Sequence, residues 1–309
     1  MGSAGSSDAF TLHTGLSYGQ DPRQIIDLFV PTRGKESLEP LPLFVYLHGG
    51  AWRSESIAGN HDLGAFLAGA GSAAVALVEY RLSLLNDGDA VPHVQHPLHL
   101  LDVYAALEYL LNERNAAKWH YDARNVVVAG HSAGAWVVSS MLLDAAAPPL
   151  QQDEQRIVSA CPRFSPTSRA AIKAYVGIDG LYDLVYLVEK YPSYMSFVSQ
   201  AFYKTPIATK DSYTKDELQP LEKVSVNRWR LALPEDGNHQ HERTQRTRFF
   251  FLHSREDTLL DVEYEQQALD FFAKSGVDLH VDLDTLRGDH DEATHTKAFF
   301  TLLQKIISS

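Results

Sequence analysis

The five residues Gly130-His131-Ser132-Ala133-Gly134, directly after the apolar run Asn125-Val126-Val127-Val128-Ala129, constrain the fold more than any other stretch of this chain. An apolar run of that kind reads as a strand buried in a sheet, and the flanking glycines permit a sharp turn into a helix. Such a corner displays Ser132 with its hydroxyl exposed. A serine hydroxyl is a poor nucleophile in water, so a fold that presents one this way points to acyl transfer. The pattern alone is moderately specific. The rest of the chain has to supply a base, an acid and oxyanion donors.

The surrounding pattern is that of an α/β protein. Strands are expected at 24–30, 43–47, 72–78, 125–129, 173–178, 248–254 and 277–283. Helices are expected at 61–69, 99–114, from Ser132 to about 144, at 263–274 and at 293–307. Strands alternating with helices predict a mostly parallel central sheet covered by helices on both faces. With 309 residues and 45% apolar composition the chain can bury one large core, so 18–309 reads as a single domain. The Gly/Ser-rich start, 1–17, is expected to be poorly ordered. Segments 148–168 and 181–246, polar or interrupted by prolines, read as cap or lid segments rather than a second domain.

Charge and cysteine content exclude several classes. A formal net charge of −12 argues against nucleic acid or an anionic membrane as partner. Cys161 is the single cysteine, so no intrachain disulfide can form, which fits a reducing compartment and a cytoplasmic location. It lies in a polar, proline-bearing segment without a motif and does not read as a nucleophile. No apolar run reaches membrane-spanning length, and no secretory signal is evident. Met1-Gly2-Ser3-Ala4-Gly5-Ser6 fits the loose N-myristoylation pattern but reads more simply as a small-residue start.

A serine nucleophile needs a general base, and that base needs a partner that fixes its tautomer. In sheets of this kind these groups lie in loops beyond the carboxyl ends of strands. The loop after 248–254 carries Glu256 and Asp257, and the loop after 277–283 carries Asp289, His290 and Asp291. Ser132, Asp257 and His290 thus fall in the chain order Ser…Asp…His. Among 14 histidines, His290 stands out because it follows a strand within Gly288-Asp289-His290, with His295 as the alternative. Asp261 falls near a helix start and is suited to capping it. Oxyanion donors are expected from the backbone amides of Gly49, Gly50 and Ala133, since His48-Gly49-Gly50 closes the strand 43–47. An ordinary strand-ending turn is the competing reading of those glycines.

These residues resemble an α/β-hydrolase of the esterase and lipase type, with a His-Gly-Gly-x-Trp oxyanion motif at His48–Trp52. More narrowly the chain resembles the fungal kynurenine formamidases. The matching stretches are Leu47–Trp52, Glu79-Tyr80-Arg81-Leu82-Ser83 and Gly130–Gly134. Asp179-Gly180-Leu181-Tyr182-Asp183-Leu184, Glu189-Lys190-Tyr191-Pro192-Ser193-Tyr194 and the run from His253 to Leu260 extend the match. It lapses at 148–168 and 233–246. The resemblance implies hydrolysis of N-formyl-L-kynurenine to formate and L-kynurenine, in tryptophan breakdown towards NAD, with no cofactor and no metal. An aromatic amino-acid substrate calls for a flat apolar pocket. Trp52 is the leading candidate for its wall, followed by Tyr182 and Tyr194, with core packing as the alternative. Trp136, one turn after Ser132, is a further candidate for limiting acyl length.

A short-chain carboxylesterase would use the same residues. A catalytically silent binding module would be expected to lack one of them. A peptidase would be expected to carry a gating domain. Monomer and homodimer are both compatible with the sequence.

Overall fold

A computed structural model of the chain describes residues 4–6, 9–32, 39–86, 88–142, 165–228, 248–275 and 277–309. Gly2, Cys161 and the segments around 148–164 and 233–246 lie outside the described residues.

Among the described residues, nine strands form one sheet in the order β1-β2-β3-β5-β4-β6-β7-β8-β9. These are β1 (Ala4–Ser6), β2 (Phe10–Ser17), β3 (Ile25–Pro31), β4 (Leu41–Leu47), β5 (Ala74–Val78), β6 (Tyr121–His131), β7 (Ile172–Ile178), β8 (Arg248–Leu252) and β9 (Asp278–Asp282). From β5 through β9 neighbouring strands run parallel, while β1, β2 and β3 add an antiparallel edge. The central strands are apolar on both faces because both are covered. Leu43, Val45 and Leu47 of β4 enter the core on one face, and Phe44 and Tyr46 enter the core on the other.

Helix α1 (His61–Gly69) packs on the second of these faces. On the first lie α2 (Leu98–Leu111), α3 (Glu113–Trp119) and α4 (Ala133–Leu142). The single helix expected over 99–114 is two. Asn112 adopts extended backbone, and its side chain accepts from the Arg114 amide to start α3. After α5 (Pro166–Ala171) and β7 come α6 (Leu184–Lys190), α7 (Met195–Phe202) and α8 (Lys215–Glu222). Their buried faces, including Leu187, Val198 and Leu221, join the main core. The described part of 181–246 is therefore packed into the domain. Two helices complete the chain, α9 (Val262–Lys274), capped by Asp261, and α10 (Lys297–Ser308). The last is shorter than the sequence predicts, because Glu292–His295 forms a separate 3₁₀ turn and Thr296 caps the helix.

One expectation is overturned outright. Phe10–Ser17 is not loose chain but a strand paired antiparallel with β3. Phe10 and Leu12, alternating along it, pack against the core beneath α1. The Gly15 amide donates to Asp27 Oδ1 at 2.8 Å, pinning the bulge in the strand. The alternation was present in the sequence but hidden by the small polar residues around it.

Candidate active site

Ser132 sits between β6 and α4 with φ 52°, a left-handed conformation that an L-residue holds only when its surroundings impose it. Those surroundings are backbone. The Ser132 amide donates to the Ile178 carbonyl at 2.8 Å, tying the turn to β7. A Cβ on Gly130 would lie 2.3 Å from the Gly134 carbonyl oxygen, and one on Gly134 would lie 2.5 Å from that of Leu47. The corner is thus pressed against the end of β4. Gly134→Ala should force these backbones apart, costing roughly 1–3 kcal/mol of stability. Its denaturation midpoint should fall and hydrolase activity should fall with it. A variant unchanged in both would mean that the turn does not need this contact.

The turn after β4 is held from below by the Glu79–Ser83 stretch. The Tyr80 hydroxyl donates to the His48 carbonyl at 2.9 Å, and its ring stacks on His48 at 4.5 Å. Glu79 accepts from Arg23 at 2.5 Å and from the Ile57 amide at 3.0 Å, and lies 3.3 Å from His48 Nε2. Burial opposes the charged form of Glu79, but these partners outweigh it and hold its pKa below the usual range. Arg81 makes a two-pronged pair with Asp102 at 2.8 and 2.6 Å, and the Ser83 amide donates to the Trp52 carbonyl at 2.7 Å. So braced, the turn tolerates three consecutive left-handed positions, with φ 83° at Gly50, 51° at Ala51 and 58° at Trp52, and a fourth further on, 67° at Glu55.

The loops after β8 and β9 bring Asp257 and His290 together. Asp257 Oδ2 accepts from His290 Nδ1 at 2.6 Å, and Asp257 Oδ1 accepts from the amides of Leu259 and Leu260 at 2.7 and 2.9 Å. The two loops are laced by Asp289, whose Oδ1 accepts from the Thr258 amide, the Thr258 hydroxyl and the His290 amide. Glu256 turns away to accept from the Gly288 amide at 2.7 Å. Burial of the His290 ring disfavours its charged form, yet the hydrogen bond and charge of Asp257 outweigh it and raise its pKa above 6.5. His131 Nε2 donates to the His290 carbonyl at 3.1 Å, and burial holds this imidazole neutral with its pKa well below 6.5. His295, the alternative base, lies instead beside Asp62, 3.0 Å away at the surface.

Ser132 and His290 face one cavity of about 250 Å³, whose wall also includes Gly50, Arg53, Glu55 and Tyr194. Gly49 and Ala133 stand behind it. A Cβ on Gly49 would come within 3.0 Å of Ser132 Cβ, and the Glu55 carboxyl interacts with the Gly49 amide. Tyr194, expected to contact substrate, lines the cavity and donates its hydroxyl to the Leu259 carbonyl at 3.1 Å.

Trp52 and Tyr182 do not line it. Trp52 is fully buried, meeting Trp136 at 5.7 Å and Phe202 at 4.8 Å in edge contacts that anchor α7. The turn that strains Trp52 points its ring into the core. Tyr182 is fully buried against Phe251 and Phe272, under the end of β7. Trp136 is also core, its indole N–H donating to the Val224 carbonyl at 2.8 Å.

Behind Asp257 lies a buried cluster that sequence reasoning missed. His253 Nδ1 is 2.8 Å from Asp179 Oδ1, which also accepts from the Ser254 amide, and Glu265 lies 3.9 Å from the same ring nitrogen. Burial keeps Glu265 neutral, its pKa pushed well up. Among the described residues, potential metal-ligand atoms come within 4.8 Å of one another in two places, Asp179–His253–Asp257 and His131–His290–Asp291. The Asp257 oxygens there already hold His290 and two amides. Arg53, Glu55 and Phe197, also on the cavity wall, went unremarked in the sequence. The signal for the first two was their place in the loop that leaves the glycine turn.

A family profile described as BD-FAE matches residues 26–228 of the chain. A curated kynurenine formamidase of Meyerozyma guilliermondii is 27% identical over 282 residues, covering 90% of this chain and 86% of its own. A second, from Scheffersomyces stipitis, is 26% identical over 291 residues, covering 86% and 94%. Among solved structures, a truncated carbohydrate esterase from gut microbiota superposes with a TM-score of 0.68 at 15% identity, over 99% of this chain and 98% of the other. That likeness shows the fold, the α/β-hydrolase fold expected from the sequence. No helix among the described residues is long and apolar enough to cross a membrane.

Proposed function

This chain belongs to the BD-FAE family of α/β-hydrolases, and we propose that within it the chain is a serine hydrolase that cleaves N-formyl-L-kynurenine to formate and L-kynurenine. The observation that carries the chemistry is the 2.6 Å His290–Asp257 pair beside Ser132 in one cavity. The substrate is supported by relatives named kynurenine formamidase that align along most of both chains. The reaction would serve tryptophan breakdown towards NAD in the cytoplasm.

In this reading Asp257 holds the proton on His290 Nδ1, which leaves Nε2 free to accept. Ser132 Oγ attacks the formyl carbon as its proton passes to Nε2. The oxyanion that develops is met by the amides of Gly50 and Ala133, with Gly49 beside them turned to Glu55. Collapse of the tetrahedral intermediate breaks the C–N bond, and the imidazolium returns its proton to the departing arylamine. Water, deprotonated by His290, then hydrolyses the formyl-serine ester to formate. Every proton transfer in these steps passes through this one imidazole.

The formyl-serine ester can be intercepted. With N-formyl-L-kynurenine and hydroxylamine, wild-type protein should release L-kynurenine and divert part of the formyl group to formohydroxamate, above the uncatalysed background. Release of L-kynurenine without any hydroxamate would contradict the acyl-enzyme route. Absence of both products would contradict the substrate.

A further inference from the structure

Three charged side chains stand on the cavity wall, and they are unequally satisfied. Glu55 interacts with the Gly49 amide and feels the charges of His48, Asp291 and His290, and Asp291 lies next to His290 in the chain. Arg53 is different. Its guanidinium donates from Nη1 to Gln200 Oε1 at 3.4 Å and lies 5.5 Å from the centre of the Phe197 ring. Gln200 is itself fixed, its side-chain amide donating to the Ser83 carbonyl and its own carbonyl accepting from Gln95 Nε2 at 3.0 Å. The head of Arg53 is therefore held in place from the protein side. Yet among the described residues no carboxylate comes within the 4.0 Å of an ion pair with it.

A guanidinium carries five N–H donors in a planar fork suited to a two-pronged carboxylate. Partial burial without an anion is unfavourable to it, and burial does lower its pKa. Glu55 and Asp291, on the His290 side of the same wall, would repel an anion from that side. They would suit an ammonium group. An anionic ligand entering the cavity is thus directed to Arg53.

We infer that Arg53 is a carboxylate-binding subsite of the cavity, which makes the enzyme select substrates that bear a free carboxylate in addition to the acyl group attacked by Ser132. For the identity of the substrate this rests on the formamidase reading, in which the carboxylate is that of the amino-acid end of N-formyl-L-kynurenine. Arg53 touches no reacting atom. Its role is specificity, expressed in kcat/KM.

The test compares N-formyl-L-kynurenine with its decarboxylated counterpart, N-formylkynuramine, in wild type, Arg53→Gln and Arg53→Lys. Wild type should favour the carboxylate substrate by roughly 10- to 100-fold in kcat/KM, the range of a charge-assisted hydrogen-bonded pair. Arg53→Gln should erase most of that preference by lowering kcat/KM on the carboxylate substrate far more than on the other. Arg53→Lys, which keeps the charge but not the fork, should restore part of it. No preference in wild type, or equal losses on both compounds in Arg53→Gln, would overturn the subsite and leave Arg53 a packing residue.

Failure of the formamidase reading looks different, since wild type would then turn over neither compound. The subsite is in that case read from equilibrium binding of L-kynurenine and kynuramine to Ser132→Ala and to Ser132→Ala/Arg53→Gln. Tighter binding of the carboxylate compound that is lost with Arg53 supports the subsite. Equal or absent binding of the two overturns it.

Discussion

Ser132→Ala is expected to abolish turnover of p-nitrophenyl acetate, lowering kcat on the order of a million-fold. The fold should survive. Among the described residues the serine hydroxyl makes no bond that braces the corner, which is held through its amide to Ile178 and its carbonyl to Ala135. Alanine can occupy the same backbone position, so stability should change by less than about 0.5 kcal/mol. Thermal unfolding alongside steady-state kinetics checks both halves. A folded variant retaining more than about a tenth of the wild-type rate would remove Ser132 from the chemistry.

Asp257→Asn should cost about 10⁴-fold in kcat with the site geometry kept. Asparagine Oδ1 can still accept from the Leu259 and Leu260 amides, which hold the carboxylate in place. Its amide would then face His290 Nδ1 and donate to it, moving the imidazole proton to Nε2. That tautomer cannot take the proton of Ser132. The pH profile gives an independent signature. His290 must be neutral to act as base, so in wild type kcat/KM should fall as pH drops through its raised pKa, above 6.5. In the variant the main raising partner is gone, while burial still lowers the pKa and the charges of Asp179 and Asp291 are left to oppose it. The acid limb of the residual activity should therefore move to lower pH. A limb that stays in place would mean that Asp257 does not set the charge of His290.

The candidate site is legible in the sequence because its constraints are local. Ser132 is announced by two glycines that backbone contact demands, and Asp257 and His290 each follow a strand by a few residues. Wall residues were harder to read, since burial of an aromatic depends on packing from distant segments. Trp52 follows the oxyanion turn and looks like a pocket wall, but its positive φ sends the indole inward to meet Trp136 and Phe202. The Asp179–Leu184 stretch, which carried much of the narrower resemblance, is mainly a brace, with Leu181 its one residue on the cavity wall. Asp183 caps α6 by accepting from the Val185 and Tyr186 amides at 3.0 Å. The Tyr264 hydroxyl meanwhile accepts from the Tyr182 and Asp183 amides. Asp179 itself supports the loop of Asp257 through Ser254 and His253. Such a motif can mark a lineage because it shapes the site from beneath. The N-terminal strand β2 escaped notice for the converse reason, its pairing with β3 being invisible to local composition.

As proposed, the chain is a serine hydrolase whose substrate is a formyl amide of an aromatic amino acid. The most direct test is kcat/KM of the purified wild-type chain for N-formyl-L-kynurenine, set beside that for p-nitrophenyl butyrate. Rapid release of L-kynurenine is expected, with a kcat/KM above that for the butyrate ester even though an amide is intrinsically the harder bond to cleave. Efficient cleavage of the butyrate with no release of L-kynurenine above buffer would contradict the proposal, and would make the chain a short-chain carboxylesterase built on the same residues.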